Sequence, residues 1–273
     1  MVSGPYPRAD DGTGDTLTMK EPASYDVLGT ALRATTYEDL TDYCQQRVLE
    51  EGVISVDFTN TQIVTMRQLD PTFLEQTSQV DFFIPDGMPL IWCLNQQGAE
   101  LKDRVYGPTF MRYCLTHCQS TSTHFFLGGS SECLQKLREN ALSWNPKLRI
   151  VGEHHGYFGP EEDDGIIESI NDCSPDFIWV GLGTPKQQAW IHRHKHRFTR
   201  GALLAVGFAF DVNAGTKPDA PLWMQRCGMG WVFRLSSEPR RLLGRYAYYN
   251  TMFLWLLLKN GWKGMLWGAS KQC

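Results

Sequence analysis

From Thr36 to Gly207, short apolar runs of strand length alternate with segments of helical period. Few architectures accept that alternation, because parallel strands need a crossover connection long enough to carry a helix. Residues 36–51 predict a helix, with Tyr37, Leu40, Tyr43 and Val48 on one face and Gly52 as its stop. Strands are expected at 53–58, 80–84, 123–127, 147–153, 176–181 and 202–207. Helices are expected at 71–79, 88–97, 108–118, after Ser130, at 160–171 and at 185–196. This order predicts an α/β fold, a mostly parallel sheet with helices on both faces, and such sheets bind ligands at the carboxyl ends of their strands.

The two ends of the chain differ from this middle. Residues 1–25 hold Gly, Pro, Asp and Thr with little apolar content and read as a disordered lead-in. They lack the basic start and apolar stretch of a secretory signal. From residue 219 strands cease, and helical stretches are expected at 221–227, 231–235 and 238–258. The expected organisation is a lead-in (1–25), an α/β catalytic domain (26–218) and a C-terminal appendage (219–273). From Leu222 onward the bases are Arg226, Arg234, Arg240, Arg241, Arg245, Lys259, Lys263 and Lys271, against Glu238 alone. A basic tail rich in Trp, Tyr, Phe and Leu suits an anionic membrane surface or a phosphate-bearing partner. A homo-oligomer is the alternative way of covering its tryptophans.

No apolar run reaches the roughly 18 residues of a spanning helix, so the expected location is cytoplasmic and peripheral on the inner face of the membrane. A net charge of -4 argues against a nucleic-acid partner. The 8 cysteines show no C-x-x-C spacing, and only Cys114 and Cys118 stand a helical turn apart, which favours buried thiols over a metal site. His154 and His155 are adjacent, so on a strand they are expected to point to opposite faces. His192, His194 and His196 sit among bases and read as a solvated helix end.

Polar and glycine residues collect at the predicted strand ends: Asn60, Asp86-Gly87, Gly128-Gly129, His154 to Tyr157, Gly181 to Gln187, and Gly207 to Asp211. Each alone is a tight turn, but together they mark one edge as the site. The loop Gly181-Leu182-Gly183-Thr184-Pro185-Lys186-Gln187 is a candidate phosphate cradle. It matches neither a P-loop nor G-x-G-x-x-G, which lowers triphosphate hydrolysis and dinucleotide chemistry. Asp86, between Pro85 and Gly87, is the candidate general base; the competing reading is a turn or capping carboxylate for the helix at Met88. Arg234, Arg241 and Arg245, with Arg240 beside them, fall at spacings one helix brings to nearly one face, although Pro239 interrupts; guanidinium forks there suit a diphosphate.

The run Ile84-Pro85-Asp86-Gly87-Met88-Pro89-Leu90-Ile91-Trp92, then Arg104-Val105-Tyr106-Gly107, Phe126-Leu127-Gly128-Gly129 and Val180 to Gln187, resembles the WecG/TagA/CpsF glycosyltransferases. So do Phe210-Asp211, Ala220-Pro221-x-Trp223-Met224-Gln225 and Trp231-x-Phe233-Arg234-Leu235-x-x-Glu238-Pro239-Arg240-Arg241. The resemblance covers roughly residues 35–250 in one order. It implies a Rossmann-like core, a membrane-associating appendage, and inverting transfer of a hexose from a UDP-sugar to a polyprenyl-diphosphate-linked sugar, with no cofactor and no metal. It implies Asp86 as the catalytic base, and Asn60, Arg104, Gly128, Gly129, Gly181, Gly183, Lys186, Gln187 and Asp211 toward the donor. Arg234, Arg240, Arg241 and Arg245 are implied for the acceptor diphosphate. Where the family often has Thr, two residues before Asn60, stands Phe58, and Gly107-Pro108-Thr109 replaces a Gly-x-Asp turn. Both departures lie near the presumed sugar pocket, so the hexose stays open between N-acetylmannosamine and the glucose of the GumM-like exopolysaccharide subgroup. The rival readings are a non-catalytic nucleotide-sugar binder and another Rossmann-like enzyme.

Overall fold

The computed structural model describes residues 21–261. The lead-in expected at 1–25 lies outside the described residues except for its last five, and there the boundary falls inside a strand. An antiparallel hairpin, β1 (Ser24–Val27) and β2 (Thr30–Arg33), opens the fold. Its two strands are too short to stand out as a sequence pattern, and they add the sheet's antiparallel edge.

The chain then alternates as its periodicity predicts. Helix α1 (Tyr37–Glu51) is capped by Thr36, which accepts the Asp39 N–H, and leads to β3 (Val53–Thr59). Helix α2 (Thr61–Leu69), not expected from sequence, starts directly after β3 because Asn60 caps it, its Oδ1 accepting the Gln62 and Ile63 N–H groups at 3.0 and 3.2 Å. After α3 (Pro71–Gln76) come β4 (Phe82–Pro85), α4 (Met88–Gln96), α5 (Gly107–His117) and β5 (Thr123–Gly128). Then follow α6 (Ser131–Trp144), β6 (Arg149–His154), α7 (Asp163–Cys173), β7 (Phe177–Gly181), α8 (Lys186–His194), β8 (Gly201–Ala205) and α9 (Ala209–Ala214).

The eight strands form one sheet in the order β1-β2-β4-β3-β8-β7-β5-β6, parallel except for the hairpin. Period-2 alternation splits the central strands β5, β7 and β8 between two cores. Phe126, Trp179 and Leu204 join Phe110, Leu137 and Phe210 on one face, while Phe125, Leu127, Ile178 and Leu203 meet Ile166 and Trp190 on the other. Because β3 to β8 run the same way, their carboxyl ends line up along one crest.

The segment after residue 219 carries α10 (Leu222–Arg226), α11 (Gly230–Ser237) and α12 (Pro239–Lys259). Pro239 does not bend a single helix: it sits in the first turn of α12, where its missing N–H costs nothing, so Arg234 belongs to α11 while Arg241 and Arg245 belong to α12. The far half of α12 is part of the body of the fold. Phe253, Leu256 and Leu257 are buried with Val27, Leu32, Phe83, Leu90 and Leu94.

Candidate active site

The crest carries two adjoining cavities. One, of 580 Å³, is walled largely by polar groups and backbone from Gly129, Gly156, Gly181 to Gln187, Val206 to Phe208, and Asp211. The other, of 290 Å³, is walled mainly by Met88, Pro89, Trp92, Trp231, Tyr246, Tyr249, Phe253 and Leu254. Asn60, Asp86, Tyr106 and Arg234 line both.

Asp86 follows β4 at the crest. It caps nothing: Gly87 holds the N-cap position of α4 without a side-chain bond, and the Asp86 carboxylate instead accepts the Gly107 N–H through Oδ1 at 3.1 Å. Burial pushes its carboxyl up to about 7, held back by Arg104, the Gly107 N–H and Arg234, with buried Asp57 adding to the rise. A carboxylate with that value is a base poised near neutrality.

In the polar cavity the Gly181–Gln187 loop is braced from within. Gln187, itself buried, accepts the Gly183 N–H at 3.1 Å, and its own N–H donates to Gly183 O at 2.9 Å. Lys186 Nζ donates to Gly156 O at 3.1 Å and lies 4.4 Å from the Phe158 ring centroid. The cap to α2 occupies the Asn60 oxygen and leaves Nδ2 as the group it can offer a ligand. Gly129, Gly181, Gly183 and Asp211 line the cavity. Gly128 does not; a Cβ there would stand 2.6 Å from the Gly181 backbone, so its role is the close approach of β5 to β7.

The arginines lie on different walls of the site. Arg104 lines the apolar cavity rather than the polar one. Its guanidinium lies 4.4 Å from the Tyr106 ring centroid, and Nη2 reaches Gln225 Oε1 at 3.5 Å. Gln225 Nε2 donates to Asp219 at 3.1 Å, and Tyr106 Oη donates to the same carboxylate at 2.8 Å. Burial, with Asp219 beside it, pushes the Tyr106 hydroxyl well above its usual range, so it remains a donor. Arg245 lines the polar cavity, with Nε donating to Gln62 Oε1 at 2.6 Å. Arg234 stacks on Phe208 at 3.9 Å and pairs with no carboxylate among the described residues. Arg240 is exposed and lines neither cavity, and the Arg241 side chain lies outside what is described.

His154 and His155 do not diverge, because β6 ends at His154; their rings lie 4.7 Å apart. His194 is no solvated helix end: it is buried, with Nε2 3.0 Å from Asp163. Among the described residues no group of three or more His, Cys, Asp or Glu side chains is placed to hold a metal ion. The Arg104–Gln225–Asp219–Tyr106 ring and the apolar walls from α12 have no sequence signal, since the contacts that close the ring, Arg104–Gln225 and Tyr106–Asp219, join residues 121 and 113 positions apart.

A glycine-looped crest on a parallel sheet, with an up-shifted carboxylate between a polar and an apolar cavity, is the ligand site of an α/β fold with room for a polar group on one side of the carboxylate and an apolar one on the other. The chain belongs to the glycosyl transferase WecG/TagA/CpsF family, whose model matches residues 25–266. It is 25% identical over 222 residues to the N-acetylglucosaminyldiphosphoundecaprenol N-acetyl-beta-D-mannosaminyltransferase of Staphylococcus aureus strain MW2, which covers 81% of this chain and 87% of the relative. The proteins of that description from strains NCTC 8325 and COL stand at the same identity and coverage. The chain is thus a glycosyltransferase, as the resemblance implied.

Proposed function

We propose that the polar cavity binds a UDP-sugar, that the apolar cavity admits a polyprenyl-diphosphate-linked sugar, and that a hexose passes between them in a single inverting displacement. The observation that carries this reading is that Asp86 lines both cavities. Its carboxylate takes the proton of the acceptor hydroxyl as that oxygen bonds to the anomeric carbon. The bond from that carbon to the phosphate oxygen breaks on the opposite face, and UDP departs. Lys186, Arg234 and Arg245 line the polar cavity and meet the leaving charge, so no metal ion is required. The S. aureus relatives act, by their names, on N-acetylglucosaminyldiphosphoundecaprenol with an N-acetylmannosaminyl group, which supports N-acetylmannosamine as the first donor to try, with glucose second.

A lipid-linked acceptor brings the site to a membrane. No helix among the described residues is long and apolar enough to cross one. Leu222, Trp223, Trp231, Leu243, Trp255 and Leu258 are exposed on α10 to α12, close in sequence to Arg226, Arg240 and Lys259. Such a surface suits peripheral attachment to the cytoplasmic leaflet. The test is UDP release from a panel of UDP-sugars with a short-chain polyprenyl-diphosphate-linked N-acetylglucosamine, in the presence of EDTA. Release with one donor, lost in Asp86→Asn, supports the reading. Intact UDP binding without release from any donor overturns the transferase assignment of Asp86.

A further inference from the structure

Lys217 stands in the link between α9 and α10, on the wall of the polar cavity and of a small 150 Å³ cavity shared with Ser237, Glu238 and Leu242. Its backbone is fixed, since the N–H groups of Thr216 and Lys217 both donate to Asp211 O at 3.0 and 3.2 Å. Its side chain is held by charge. Nζ lies 2.8 Å from Glu238 and 3.6 Å from Asp211. The Phe208 ring, on which Arg234 stacks, lies 5.8 Å away. The ammonium thus sits between a donor-cavity carboxylate and the carboxylate that begins α12.

We propose that Lys217 is a diphosphate-binding residue of the donor cavity, restrained by Glu238, and that an incoming nucleotide draws it across to its own phosphates. The inference rests on the reading of the polar cavity as the UDP-sugar site. A lysine is suited to such an exchange because its charge is a point on a flexible stem, free to change partners without a fixed fork geometry. Its present partners are partly exposed, so neither ion pair is strong. A diphosphate brings more charge than a single carboxylate and competes well for the ammonium. The exchange also gives the start of α12 a reason to respond to the nucleotide: the pair that ties Glu238 to the α9 side is the one that filling the cavity removes.

Titration calorimetry with UDP tests this without any acceptor. Lys217→Met is expected to weaken UDP binding about tenfold, while Lys217→Arg, which keeps the charge, retains most of it. Glu238→Gln is expected to tighten binding about two- to fivefold, the scale of a released exposed ion pair. The gain must vanish when Glu238→Gln is combined with Lys217→Met. If the gain persists in that double variant, Glu238 acts only through the general field and the exchange is wrong. Unchanged affinity in Lys217→Met overturns the inference alone. No UDP binding by the wild-type protein overturns the donor-cavity reading and this inference with it.

Discussion

Asp86 and Gly107 are joined by one hydrogen bond, from the backbone N–H of Gly107 to Asp86 Oδ1 at 3.1 Å, and it ties the end of β4 to the start of α5 across 21 positions. The bond fixes the carboxylate at the meeting of the two cavities instead of leaving it to cap its own helix. It also favours the ionised form, against the burial that opposes it. Asparagine in place of Asp86 can keep this bond through its own Oδ1 while losing the basic oxygen. Asp86→Asn is therefore expected to lower kcat by about 10²- to 10⁴-fold. It should also stabilise the fold at pH 8. The carboxyl is raised from 3.8 to about 7 in the folded chain, so stability falls as pH rises between those values, and a neutral amide escapes that loss. A gain of about 2 kcal/mol in denaturant unfolding is expected; equal or lower stability would mean the carboxylate is well solvated.

The same balance sets the pH dependence. Activity needs the ionised carboxylate, so kcat/KM should rise with pH through about 7 in the free enzyme. Arg104 is the leading counterweight to burial. Arg104→Met removes a positive charge that favours the carboxylate, and the acid limb should move to higher pH. A limb that stays in place while kcat/KM drops would assign Arg104 to substrate binding alone.

How far the sequence carried this picture follows from what each residue's role depends on. The parallel sheet and its crest were legible because hydrophobic period is local, as in the buried runs of β5, β7 and β8. Asp86 and the Gly181–Gln187 loop were legible because strand ends announce themselves. The hairpin β1–β2 is not legible, being four residues a strand, and α2 is hidden because Asn60 directly follows β3 and caps the helix at once, leaving no turn between the two. Which wall Arg104 and Arg245 line is not legible either. Their spacing says nothing of which wall they reach, and that is decided by Gln225 and Gln62, at separations of 121 and 183 residues.

Two glycines of the Gly181–Gln187 loop should fail in different ways. A Cβ on Gly181 would stand 2.5 Å from the ring of Phe210, which is buried and cannot retreat. Gly181→Ala is expected to cost about 1–3 kcal/mol by overpacking. Gly183 has open space around it but φ +77°, so Gly183→Ala strains the backbone by about 1 kcal/mol and should act chiefly on UDP affinity. Thermal unfolding and UDP titration together separate the two; equal losses of stability would contradict the assignment.

The appendage gives the remaining prediction. Trp223 is 61% exposed and Leu222 66%, at the start of α10, and Trp255 and Leu258 are exposed on α12. Scattered apolar residues are ordinary on a surface, but this many on three consecutive helices are not. If they lie in the headgroup region, the protein should co-sediment with vesicles containing anionic lipid, and added salt should weaken binding because the bases contribute. Replacing Leu222 and Trp223 together by Asp removes apolar contact and adds negative charge, and should reduce vesicle binding tenfold or more, on the order of 2 kcal/mol. UDP affinity should hold, because neither residue lines the polar cavity. Unchanged vesicle binding, with a self-association that the double variant abolishes in sedimentation velocity, would assign the surface to a second copy of the chain instead.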